Sequence, residues 1–127
     1  MIQQLNKPSL KQKVNFFRLL SVSQNAGLGI RESLISIKKS ETHKGFREIL
    51  EDLIVSLTEG ASLAQALQDH NYFFHSDEIE LVQSAQVTGN MTSVLGQIAD
   101  ELENTQEINQ KISKAMTYPT MVLLMAI

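Results

Sequence analysis

The stretch Phe46-Arg47-Glu48-Ile49-Leu50-Glu51-Asp52-Leu53-Ile54-Val55-Ser56-Leu57-Thr58-Glu59-Gly60 decides the fold class. Its apolar residues Phe46, Ile49, Leu50, Leu53, Ile54 and Leu57 recur at i, i+3, i+4, i+7, i+8 and i+11, one face of an α-helix wide enough to be core. Gly60 closes the run as a left-handed stop.

The same grammar repeats in both directions from this helix. Upstream, a helix is expected from about Ile30 to Lys39, with Ile30, Leu34 and Ile37 apolar. Lys38 and Lys39 fall in its last turn, where the negative end of the helix dipole favours cations. Before it, Pro8-Ser9 opens a helix that presents Leu10, Val14, Phe17 and Ser21, flanked by Phe16 and Leu20, and Gly27 closes it. Downstream, Ser62-Leu63-Ala64-Gln65 reads as a capping box opening a short helix that runs to about Asp69. Asn71 to His75 is read as a loop, and Ser76 is expected to cap a fifth helix with Asp77, Glu78 and Glu80 in its first turn. Gly89-Asn90 ends that helix. A sixth starts near Met91 or Thr92, presents Val94, Leu95, Ile98, Leu102, Thr105, Ile108 and Ile112, and continues through Ala115. Six helices without a strand make an all-α, six-helix bundle whose last helix leads into a truncated transmembrane segment.

That last expectation comes from Lys114 to Ile127, where a polar helical chain becomes an apolar run. Met121 to Ile127 is far shorter than the ~20 residues that cross a bilayer, so it reads as the first turns of a span. The expected organisation is a tail over 1–8, a cytoplasmic bundle over 9–115 and the start of the first transmembrane helix over 116–127. Lys111 and Lys114, after some sixty residues without a cation, are what the positive-inside bias places on a cytoplasmic flank. The N-terminal residues lack the apolar core of a secretory signal. Tyr118 suits the headgroup region, and Pro119 either kinks the helix at the membrane or begins a separate one.

Charge is segregated along the chain. Residues 1–47 carry nine basic and two acidic side chains, whereas residues 48–110 carry twelve acidic and no basic ones. The basic stretch Lys7 to Arg18, with Lys11, Lys13 and Arg18 as the candidate partner surface, could meet anionic lipid or an acidic protein; a solvated helix face is the plainer reading. Nucleic acid is not expected, because no recognition motif is present and the nearby Phe16 and Phe17 lie at core positions.

Chemistry is not expected either. With no cysteine, thiolate nucleophiles and thiolate metal sites are excluded. The histidines His43, His70 and His75 do not fall at ligand spacing on a helix face, and there is no Gly-rich phosphate loop or Gly-x-Ser-x-Gly motif. Asp77, Glu78 and Glu80 have an electrostatic reason to stand at a helix start without a cation. Asp100, Glu101, Glu103 and Glu107 read as the solvated outer face of the sixth helix. No catalytic residue, cofactor or metal is assigned.

Two joints are alike at an offset of thirty-three residues: Ala26-Gly27-Leu28-Gly29-Ile30-Arg31-Glu32-Ser33-Leu34 and Glu59-Gly60-Ala61-Ser62-Leu63-Ala64-Gln65-Ala66-Leu67. A third, from Gly89 to Leu95, is one residue shorter. Tetratricopeptide and ankyrin signatures are absent, so the pair reads as one physical solution used twice.

The order of these motifs, with the Phe73-Phe74 loop, Gln86-Val87-Thr88-Gly89-Asn90-Met91-Thr92-Ser93-Val94-Leu95 and Ala115-Met116-Thr117-Tyr118-Pro119, resembles the type II secretion F family. The resemblance covers roughly residues 14–127. Its motif residues here are Gly27, Gly60, Gln86, Gly89 and Leu95. Where that family usually shows Gly-Glu, this chain has Ala85-Gln86, which argues against a charge-based or cation-binding role at that joint. The resemblance implies a non-enzymatic platform protein of the bacterial inner membrane, with this domain on the cytoplasmic side. It implies the assembly ATPase, other inner-membrane assembly proteins and pilin or pseudopilin as partners, and it allows a homo-oligomer. A membrane-anchored helical adaptor or sensor that binds a cytoplasmic signalling protein is the alternative that the residues alone leave open.

Overall fold

Six α-helices and no strand make up residues 8–106, the part of the chain that the computed structural model describes. They are α1 (Leu10–Asn25), α2 (Ile30–Ser40), α3 (Lys44–Thr58), α4 (Leu63–Gln68), α5 (Ser76–Thr88) and α6 (91–106). The chain is all-α, and consecutive helices from α1 to α5 pack against one another. Short connections of two to seven residues favour this neighbour-to-neighbour arrangement.

Four of the helices, α1, α3, α4 and α5, begin where the sequence supplies a capping side chain. Ser9 N–H donates to Gln12 Oε1 (2.8 Å) before α1. Ser62 and Gln65 complete the capping box of α4, with Gln65 N–H on Ser62 Oγ (3.2 Å) and Ser62 N–H on Gln65 Oε1 (2.9 Å). At α3 the imidazole of His43 does the same work, its Nδ1 accepting from Phe46 N–H (3.1 Å). At α5 the expectation of a Ser76 cap needs correction. Ser76 is the first helical residue and His75 is the N-cap, with its N–H donating to Glu78 Oε1 (3.1 Å). Glu78 is three residues from His75 and only two from Ser76, so the reciprocal carboxylate bond fixes the earlier residue at the cap.

The core lies where the helical stripes converge. Val14, Phe16, Phe17 and Leu20 of α1, Leu34 and Ile37 of α2, Phe46, Ile49, Leu50 and Leu53 of α3, and Val94, Leu95, Ile98 and Ala99 of α6 are all buried. Ile54, Leu57 and Leu102 are partly buried against them. All five phenylalanines of the chain meet here. Phe16 stands edge-on to Phe17 and Phe46 with ring centroids 5.1 and 5.7 Å away, and Phe73 lies 5.7 Å from Phe46 and 4.9 Å from Phe74. Edge-to-face pairs of this kind contribute roughly 0.5–1.5 kcal/mol each beyond the area they bury. The loop before α5 is therefore anchored from within, because Phe74 is fully buried.

α6 returns to α1 and closes the bundle. Ser21 Oγ donates to the Thr92 carbonyl (2.9 Å), and a Cβ placed on Gly96 would come within 3.2 Å of that same Oγ. Glycine at 96 thus lets the two helices approach closely.

Candidate docking site

Of the three cations on α1 expected to form a partner surface, the structure removes one outright. Lys13 is 4% exposed. Its Nζ donates to the Phe73 carbonyl (2.9 Å) and to both carboxylate oxygens of Glu78 (3.3 and 3.2 Å), and it lies 5.2 Å from the centre of the Phe73 ring. The reason is geometric. Lys13 shares the apolar stripe of α1, one turn before Phe16 and Phe17, and Glu78 shares the stripe of α5 with Val82 and Ala85. A charge on a buried face is tolerated only when paired and hydrogen-bonded, and here each supplies the other. Glu78 thus stands in the first turn of α5 as expected, and is buried there.

Arg18 is committed as well. Its guanidinium reaches Glu103 (2.6 Å) and Asp100 (2.8 Å) on α6. By accepting the guanidinium's hydrogen bonds, Glu103 first and Asp100 second, these carboxylates raise the Arg18 pKa. Two of the four acids assigned to the open face of α6 therefore fasten that helix to α1. Lys11 is exposed, and of the three it alone faces solvent without an ion-pair partner among the described residues.

The glycine joints have matching geometry. Gly27 and Gly60 have φ of 90° and 100°. After α1, Leu28 N–H donates to the Ser23 carbonyl and Gly27 N–H to that of Gln24; after α3, Ala61 N–H donates to Ser56 and Gly60 N–H to Leu57. These are the paired 6→1 and 5→2 bonds of a Schellman motif, formed twice, thirty-three residues apart. At the third joint Gly89 is itself the C-cap, and its N–H donates to Ala85 (2.8 Å). Asn90 then begins α6 at once, which accounts for the missing residue before Leu95, itself fully buried.

Gln86 has a role that its sequence position did not disclose. Its side-chain oxygen accepts from Ala64 N–H in the first turn of α4 (3.0 Å), across twenty-two residues. A backbone donor that the six-residue helix cannot satisfy internally is thereby met.

A cleft of about 510 Å³ opens beside the Lys13–Glu78 pair. Phe73, Leu81, Ile98 and Leu102 supply its apolar wall, and Asp77, Glu101 and Tyr72 stand around it. Tyr72 Oη lies 2.7 Å from His70 Nδ1, while His70 Nε2 lies 3.3 Å from Asp52. Desolvation of the hydroxyl, and secondarily the Asp52 carboxylate, pushes the Tyr72 phenol above its ordinary value. His75, Asp77 and Glu78 bring potential ligand atoms within 4.8 Å of one another, but the Lys13 ammonium already supplies the positive charge that Glu78 faces. No helix among the described residues is long and apolar enough to cross a membrane. The expected membrane entry, Lys111, Lys114, Tyr118 and Pro119, lies outside the described residues, as does the expected truncated span.

The geometry defines a class, a small all-α bundle organised by glycine joints and closed by ion pairs between distant helices. Residues 16–127 match the family described as Type II secretion system (T2SS), protein F, and the chain belongs to that family. It is 31% identical over 120 residues to type IV pilus assembly protein PilC of Thermus thermophilus, across 94% of this chain and 29% of that protein. It is 27% identical over 110 residues to type II secretion system protein F of Vibrio cholerae, across 87% of this chain and 27% of that one. The protein transport protein HofC homolog of Haemophilus influenzae is 26% identical over 117 residues, across 92% and 29%. The chain thus spans 27–29% of the length of these curated relatives.

Proposed function

We propose that this chain is the cytoplasmic domain, with the beginning of the first membrane span, of an inner-membrane platform protein in a type IV pilus or type II secretion machine. In that role it couples the assembly ATPase to pilin or pseudopilin subunits and carries no chemistry of its own. The observation behind the reading is the family match, which runs from α1 through the apolar tail, together with relatives named for pilus assembly and type II secretion. The bundle adds a physical reason. A domain whose helices are tied at their ends by glycine joints and across its width by ion pairs transmits displacement as a unit, since packed cores respond as rigid bodies rather than deforming continuously.

On this reading Tyr118-Pro119 is the hinge between bundle and span, because proline removes one intrahelical hydrogen bond where the two meet. The test uses the full-length protein in cells of its own source. Pro119→Ala is expected to impair filament assembly or secretion while the bundle melts as before. Normal assembly by that variant removes the hinge. A deletion strain that assembles its filament and secretes normally removes the platform reading itself.

A further inference from the structure

We propose that the cleft beside the Lys13–Glu78 pair is a docking site for a short basic segment of a protein partner, one that inserts an apolar side chain between two cations. The proposal goes beyond the platform reading and does not depend on it. Three observations carry it. The first is the wall: Phe73, Leu81, Ile98 and Leu102 leave about 510 Å³ open, within the roughly 300–1,000 Å³ of pre-formed binding pockets. A volume so lined rewards an apolar anchor.

The second is the balance of charge. Lys13 and Glu78 neutralise each other at the bottom of the cleft. Asp77 and Glu101 are exposed beside it, and among the described residues neither has a cation within ion-pair distance. Among the described residues no ion pair offsets their negative field, which attracts lysine or arginine and repels anionic lipid and nucleic acid. The third is Tyr72, 65% exposed at the mouth of the same cleft. An open aromatic face next to an acidic rim is a seat for a cation.

The experiment titrates the whole 127-residue chain against a fluorescently labelled octapeptide of alternating lysine and leucine, read by anisotropy. Its counterpart with glutamate in place of lysine is the control. The lysine peptide is expected to bind, less tightly as salt rises, and the glutamate peptide not to bind. Asp77→Asn with Glu101→Gln is expected to weaken the lysine peptide roughly tenfold. Leu102→Trp, which fills the wall, is expected to abolish binding; should that variant melt early, the charge variant decides alone. Neutralising Glu48 and Glu59, which do not line the cleft, should leave affinity unchanged. The proposal is overturned by equal affinity for both peptides, by no effect of the Asp77/Glu101 variant, or by an equal loss from the Glu48/Glu59 variant. It is also overturned if peptide binds only after residues 1–7 are removed, which makes the chain's own start the occupant. Self-association that the cleft variants abolish would make a second copy the occupant and overturn it too.

Discussion

Nζ of Lys13 on α1 stands 3.2 Å from Oε2 of Glu78 on α5, and both side chains are less than a tenth exposed. Sixty-five residues separate them in the chain, so the pair joins the first helix to the fifth. Removing one partner leaves the other charged, buried and alone, and Lys13→Ala or Glu78→Ala is expected to cost about 3–5 kcal/mol. Replacing both with methionine is expected to recover much of that loss, because no orphan charge remains. Urea denaturation of the four proteins measures it, and single variants within about 1 kcal/mol of the parent, the scale of an exposed pair, would contradict it.

The twin glycine stops make a cleaner test, since nothing lies within 4 Å of a Cβ added at Gly27 or Gly60. Any loss from alanine there is backbone strain alone. Gly60→Ala is expected to destabilise by about 1–2 kcal/mol, the cost of the left-handed region for a residue with a Cβ. Gly27→Ala should cost the same, and the double variant the sum. Gly60→Asn should lose less. Thermal melts decide, and an unshifted midpoint for both alanine variants would mean that the joints do not need glycine.

Gln86 offers a prediction in two directions. Gln86→Ala strips the acceptor from Ala64 N–H and is expected to cost about 0.5–1.5 kcal/mol. Gln86→Glu keeps the oxygen and adds a negative charge at the positive end of α4, for a gain of about 0.3–1 kcal/mol at low salt. That gain should fade as salt is raised. A glutamate variant less stable than the parent at neutral pH and low salt would show that the short helix is indifferent to charge at its start.

Much of the architecture was legible in the residues because local signals and burial agree. The stripe on α3, the capping box at Ser62 and Gln65, and the glycines at 27, 60 and 89 each act within a few residues, where periodicity and turn chemistry are informative. Lys13 was misread because a charge suggests a surface, although it occupies a core position of its helix with Phe17 and Leu20 at i+4 and i+7; Glu78 stands in the first turn of α5 as expected, but its place on the stripe of Val82 and Ala85 was not noticed. Two opposite charges on two apolar stripes were a signal that their residue types concealed. The cap at His75 was missed because serine is the commoner cap, while the decisive group was Glu78 three residues on. Gln86 on Ala64 and Arg18 on Asp100 and Glu103 connect segments far apart, and no local pattern announces such partners.

The ion pairs also recast the segregation of charge along the chain. Lys13 with Glu78, Arg18 with Asp100 and Glu103, and Lys38 with Glu51 all join a cation before residue 48 to an acid after it. What looks like an electric polarity in the linear chain is folded back on itself and, at these three cations, annulled in space. In the unfolded chain the same opposite charges are screened beyond a Debye length of about 10 Å, so they favour the pairing of the two halves only once these have met.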